Sequence, residues 1–254
     1  MLIPRVIPCL LFEDGAMVKT ERFGKRTYLG DPINVVNLFN RFEVDEILLI
    51  DIGATRMRIP PNFDLIGDLS EECWVPLSYG GGIKDLRDIE RIISSGVEKV
   101  CIGTSATDLG FIEAAAKEFG TQCIVASVDV RDRFWGQQAV YTRHGRQRLK
   151  GTAQQRAKRL ADAGAGEIFL QSISLDGTMK GYDLDLISRV AEAVDIPVIA
   201  CSGAANRADL PGPIQAGAAA VAAGSLFVFS GIERGVLINF PERSELENLM
   251  RTNV

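Results

Sequence analysis

The sequence contains a single histidine, His144, and its five cysteines show neither a close pair nor metal-ligand spacing. Cys9, Cys101, Cys123 and Cys201 fall in apolar, strand-like runs, and Cys73 stands apart, so the expectation is buried free thiols in a reducing cytoplasm. Basic excess is missing too. Against 28 Lys and Arg stand 33 Asp and Glu, a net charge of -5, so no global attraction to nucleic acid or to an anionic membrane is expected. No long hydrophobic run exists: the apolar start from Met1 to Leu11 is short and broken by Pro4, Arg5 and Pro8, and reads as neither signal peptide nor membrane span. Linkers and low-complexity stretches are absent. What remains is a 254-residue chain with 46% hydrophobic and 24% charged residues, the composition of one globular domain with a sizeable core.

Apolar, β-rich runs recur along it, each followed by a polar loop and a helical pattern. Strands are expected over 5–11, 47–52, 75–79, 98–102, 123–129, 167–172, 196–200 and 219–223. Helices are expected over 31–42, 62–72, 85–95, 108–119, 152–163, 183–194, 206–216 and 230–239. Near-continuous hydrophobic strands alternating with helices call for a parallel sheet covered on its outer face. Eight such units favour closure into a single (β/α)8 TIM barrel over a doubly wound open sheet. Two segments interrupt the rhythm. Glu13 to Tyr28 is charged and contains glycine, which predicts a mobile loop over the mouth; Arg131 to Lys150 predicts an inserted β-ribbon with a turn at His144-Gly145.

The stretch Val75 to Ile83 runs a strand into Gly80-Gly81-Gly82, and a helical pattern follows from Lys84. Bare backbone amides ahead of a helix N-terminus suit an anion. An offset of 121 carries Gly82 onto Gly203, the segment Val44–Ile52 onto Ala165–Ile173, and Val97–Ser105 onto Ala218–Leu226. This internal repeat predicts two half-barrels, about 1–121 and 122–254, with two equivalent anion grips. One grip joins Gly80, Gly81 and Gly82 with Gly103 and Thr104. The other joins Asp176, Gly177, Thr178 and Gly203 with Gly224 and Ser225. A ligand carrying a phosphate at each end would span both.

Between the grips, Asp51, Asp129 and Asp176 end strands and are candidates for acid–base work, with Asp129 favoured because it precedes the ribbon. Lys19 is placed to reach inward from the first loop, although loop lysines are commonly solvated. His144, in a turn, is expected in solvent without chemistry. At the opposite end Arg5, Glu46, Lys99 and Glu167 open strands 1, 2, 4 and 6; they either face water or form a salt-bridged ring around the axis. Neither a metal nor a cofactor is implied.

The segments Arg5-Val6-Ile7-Pro8-Cys9-Leu10, Asp14-Gly15, Gly80-Gly81-Gly82-Ile83, Gly164-Ala165-Gly166-Glu167-Ile168 and, most specifically, Asp176-Gly177-Thr178 followed by Gly181-Tyr182-Asp183 resemble the cyclase subunit of imidazole glycerol phosphate synthase. The resemblance covers essentially the whole chain. It implies two phosphate sites, a glutaminase docked on the lower rim, and passage of ammonia through the barrel past a gate of Arg5, Glu46, Lys99 and Glu167. It also implies a catalytic pair of aspartates. One matches Asp129, but the other falls on Leu11, which moves no proton. Gly103 stands where the family has asparagine, and Ser202-Gly203 replaces a glycine pair. The chain is therefore more similar to the cyclase-like paralogues that act with a glutaminase and an ATP-dependent amidotransferase to install acetamidino groups on surface sugars. An active histidine-pathway cyclase, or a non-catalytic ammonia conduit that activates its glutaminase, are the alternatives.

Overall fold

A computed structural model describes residues 3–231 and 233–252. Eight parallel strands form a closed ring: β1 (Arg5–Glu13), β2 (Ile47–Asp51), β3 (Leu77–Gly80), β4 (Lys99–Ile102), β5 (Ile124–Asp132), β6 (Glu167–Ser172), β7 (Val198–Cys201) and β8 (Ala220–Ala223). Each pairs with the next, and β8 closes onto β1 with Arg5 opposite Ala220 and Pro8 opposite Ala223. The fold is the expected (β/α)8 barrel.

The strands are apolar on both faces because both are covered. Along β1, Ile7, Cys9 and Leu11 point into the barrel with Leu48, Val125, Phe169 and Ile199, while Val6, Leu10 and Phe12 pack outward under the helices. Burying a large apolar side chain contributes about 1.5–3 kcal/mol, so this two-layered core dominates the stability. Helix starts are set locally. Asp31 accepts from Asn34 N, Asp85 from Asp88 N and Asp183 from Leu186 N, and Thr152 with Gln155 forms a reciprocal capping box. Among the described residues, no helix is long and apolar enough to cross a membrane.

Two expected helices need correction, and one helix was not expected. The helix expected over 230–239 is absent from the described residues there. A four-residue helix, Ser225–Val228, leads instead into a small hairpin of Phe229–Ser230 with Gly235–Val236, and the last helix is Arg243–Thr252. Left-handed backbone at Gly231 and Arg234 turns the chain where the apolar spacing suggested a helix. The helix expected over 206–216 splits into a single 3-10 turn, Arg207–Asp209, and a five-residue helix, Pro211–Gln215, since Pro211 and Pro213 supply no N–H to a continuous ladder. A short helix after β2, Ile52–Met57, was not expected; Asp51 caps it, accepting from Gly53 N and Ala54 N at 2.9 Å each. That cap accounts for one carboxylate that strand ends had offered for chemistry.

The two interruptions prove alike. Glu13 to Tyr28 is not a loose loop but an antiparallel extension of β1, with Ala16–Thr20 paired to β1 and to Arg26–Gly30. The ribbon after β5 pairs Gln138–Thr142 with β5 and with Gln147–Arg148. Their tips, Arg22-Phe23-Gly24 and Arg143-His144-Gly145, lie 121 residues apart and share a left-handed pair of residues: φ is 53° and 58° at Arg22 and Phe23, and 53° and 58° at Arg143 and His144. The tips meet. Phe23 and His144 stack with centroids 5.4 Å apart, and His144 Nε2–H donates to the Phe23 carbonyl at 3.1 Å.

Candidate active site

At the carboxyl ends of the strands a cavity of about 750 Å³ opens beneath these tips. All the residues expected at the two grips line it except Thr178. On one side, Gly81 has φ of 117° and its Cα faces the Asp51 carbonyl so closely that any Cβ would collide. Only glycine brings the chain through here with its amides bare. Gly82, Gly103 and Thr104 complete this wall. On the other side Gly203, with φ of 102°, abuts the Gly181 carbonyl in the same manner, and Gly177 and Gly224 border the same space. Beside them Ser202 holds a left-handed φ of 89°, and the buried hydroxyls of Ser202 and Ser225 have no hydrogen-bond partner among the described residues. A buried hydroxyl without a partner is uncommon, and both of these border the cavity.

Lys19 is neither solvated nor on a loose loop. It is buried on the first hairpin, where Nζ donates to Asp176 Oδ1 at 2.7 Å and to the Thr20 carbonyl at 2.8 Å. An ammonium has three N–H donors, so one remains for a ligand. Asp176 is not a bare anion contact. Its carboxylate also accepts from Thr20 Oγ1 at 3.1 Å and Phe23 N at 3.2 Å, tying the hairpin to the loop after β6.

Asp129 projects from β5 into the floor of the cavity, where Ser127 Oγ donates to it at 2.7 Å. Burial pushes its carboxyl up to about 6, against the opposing effect of the Ser127 hydrogen bond. A carboxyl that titrates there can take or give a proton near neutrality. Leu11 lines the same cavity from β1 and is nearly buried. Neither neighbouring acid lines the cavity. Glu13 is buried and held by the guanidinium groups of Arg26 and Arg56, and Asp14 sits exposed in the hairpin turn. Cys9, Cys101 and Cys201 are buried in the barrel interior as expected; Cys123, in a 3-10 turn before β5, is only half-buried.

At the other end of the axis the four charges form a closed ring. Arg5 bridges Glu46 and Glu167 at 2.6 Å each, and Lys99 spans the same two carboxylates at 3.3 and 3.2 Å. Ser78 Oγ adds a hydrogen bond to Glu46 at 2.6 Å. Between ring and cavity the interior is apolar, with Ile7, Leu48, Val125, Phe169, Ile199 and Ala220. On the same face, ahead of β3, Trp74 is 80% exposed, with half-exposed Phe42 following the helix Pro32–Arg41 whose C-terminus lies there too.

The basic residues around the mouth were not among the expected site residues, and His144, expected in solvent, is half-buried against Phe23. The signal was present: Arg-Phe-Gly and Arg-His-Gly recur at the offset already found elsewhere.

The model of the family described as histidine biosynthesis protein matches residues 5–233. A Pseudomonas aeruginosa protein that carries the provisional name imidazole glycerol phosphate synthase subunit hisF2 is 47% identical over 249 residues, 97% of this chain and 99% of that one. A Leptospira interrogans protein with the provisional name imidazole glycerol phosphate synthase subunit HisF is 40% identical over 252 residues, covering 98% and 99% of the two chains. The imidazole glycerol phosphate synthase subunit HisF of Alkaliphilus metalliredigens is 38% identical over 234 residues, 91% of this chain and 93% of that protein.

Proposed function

The chain belongs to the histidine biosynthesis protein family, and from that membership and the two ends of its barrel we propose that it is the cyclase-like subunit of a glutamine amidotransferase system. A glutaminase docks on the face that carries Trp74 and the charged ring. Ammonia from glutamine passes Arg5, Glu46, Lys99 and Glu167, crosses the apolar interior and emerges at the cavity. There the glycine grips, with the hydroxyls of Thr104, Ser202 and Ser225, hold a phosphorylated ligand through backbone amides and hydroxyls, and Lys19 offers its remaining N–H. Asp129 supplies the single acid–base group.

One observation carries the finer reading: Leu11 faces Asp129's cavity where a second carboxylate would be needed. General acid–base assistance is typically worth about 10²–10⁴-fold, so a site with one carboxylate is poorly equipped for the ring closure its relatives' names describe. The ammonia is therefore delivered for amidation of a sugar, forming an acetamidino group on a surface glycan precursor together with an ATP-dependent amidotransferase. The second reading, imidazole glycerol phosphate formation, is favoured by the relatives' names and by a carboxyl at Asp129 that titrates near neutrality.

The test pairs the protein with its cognate glutaminase and follows imidazole glycerol phosphate formation in wild type and Leu11→Asp. Negligible turnover in wild type, with a gain in the variant, is expected. Full turnover by the wild type would sink the sugar reading. Glutaminase activation with no chemistry on any barrel ligand would instead leave a conduit.

A further inference from the structure

Beside the main cavity, on the far side of the Phe23–His144 contact, lies a second compartment of about 550 Å³. It lies between the two hairpins and opens to solvent. Arg26 and Phe23 come from the first, Arg131, Tyr141, His144 and Arg146 from β5 and the second, and Arg56 from the short helix after β2. Its lining holds four arginines and one carboxylate, Glu13. Glu13 is already shared by Arg26 and Arg56. Arg131 lies over the Tyr141 ring, 4.8 Å from its centroid, and neither it nor Arg146 has a carboxylate partner among the described residues. In a chain of net charge -5 this is a local surplus of positive charge in a concave site. The compartment adjoins the cavity: Thr20, Phe23, Ile52, Arg56, His144 and Arg146 line both.

We propose that this compartment is a third anion subsite, which takes a phosphoryl or diphosphoryl group of the ligand whose other end occupies the cavity. Guanidinium groups match phosphate oxygens with paired N–H donors, as glycine amides do not. A surplus of about three charges suits a group that carries two or more negative charges better than a lone carboxylate. The ligand is then longer and more charged than one spanning the glycine grips alone, the class to which diphosphate-linked precursors belong. This inference rests on the reading of the cavity as a ligand site.

His144, the only histidine, is a built-in reporter. Burial holds its imidazole below the ordinary value, Arg146 and Arg56 lower it further, and the Phe23 carbonyl and Glu13 act in the opposite sense. An anion seated between the arginines favours the imidazolium. The experiment titrates untagged, isotope-labelled protein with inorganic pyrophosphate and follows the one imidazole signal by NMR. A parallel titration with inorganic phosphate follows the amides of Gly81 and Gly203. Pyrophosphate should raise the His144 midpoint saturably. R131Q/R146Q should bind it about tenfold or more weakly, as expected for losing charge-assisted hydrogen bonds, while phosphate affinity at the glycines stays the same. R146Q alone, at an exposed position, should show a partial loss and guards against misfolding. A His144 signal indifferent to pyrophosphate, equal affinity in wild type and the double variant, or binding of an acidic peptide but not of pyrophosphate would overturn the proposal. A responding His144 with silent glycines would uphold this subsite and remove the cavity reading instead.

Discussion

Leu11 and Asp129 occupy corresponding places in the two halves of the barrel. Leu11 stands opposite Ile50 in the β1–β2 pair, and Asp129 stands opposite Gln171 in β5–β6, with Ile50 and Gln171 separated by the 121 residues of the repeat. The step below is Cys9 opposite Leu48 and Ser127 opposite Phe169. One half thus presents Ser127, Asp129 and Gln171 to the cavity where the other presents Cys9, Leu11 and Ile50. In this layer of the barrel the polar side chains come from one half of a symmetric frame.

That asymmetry makes Asp129 separable from the fold. Its folded pKa, about 6, lies above the unfolded value of 3.8, so its contribution to stability is fully present below the unfolded value and is lost as pH rises through the folded one. Asp129→Asn should therefore stabilise the protein at pH 8, by up to about 3 kcal/mol, and flatten its pH dependence between the two values. Denaturant melts of both proteins at pH 5 and pH 8 check this; equal pH profiles would contradict a raised Asp129.

In the charged ring, Arg5 is the member both carboxylates depend on. Arg5→Ala leaves the nearly buried Glu46 with Lys99 and Ser78 only, and a loss of about 2–4 kcal/mol is expected, as for a partly buried pair stripped of one partner. Lys99→Ala should cost less, because both carboxylates keep Arg5. Its effect should appear instead as more glutamine hydrolysed per molecule of product formed. An unchanged ratio would remove the gate assignment.

Trp74 contributes little to the fold from its exposed position, so Trp74→Ala should change stability by no more than about 0.5 kcal/mol. If the glutaminase docks on this face, a large exposed indole is the natural anchor, and calorimetric affinity should fall about tenfold or more. Unaltered affinity would move the docking site elsewhere.

Ser202 has a left-handed backbone that costs a residue with a side chain about 1–2 kcal/mol. Ser202→Gly should raise the thermal midpoint by relieving it while removing one hydroxyl from the second grip. A lowered midpoint would show that the hydroxyl stabilises the unliganded protein.

The barrel and both ends of its axis were legible because period and offset survive in the sequence: near-continuous apolar strands, glycines 121 residues apart, charges at strand starts. Part of what stayed hidden depends on partners far along the chain. Asp51 is the local exception: it caps the helix that starts at the next residue, and six residues are too short to leave a periodic signal. The sequence offers Lys19 as a group reaching inward but not what holds it there, because its partner, Asp176, is 157 residues away. Apolar spacing over 230–239 mimicked a helix, although Gly231 and Arg234 turn the backbone. His144 was dismissed as a turn residue because turn propensity says nothing about what the turn touches.

The touching hairpin tips have a kinetic consequence. Phe23 and His144 line both the cavity and the arginine compartment, so their contact stands between the two like a latch bar. A ligand that fills both, as proposed above, must thread beneath the bar or wait for stacking and one hydrogen bond to release. Association would then saturate with ligand concentration, at a ceiling set by how often the latch lifts, and Phe23→Ala would raise that ceiling.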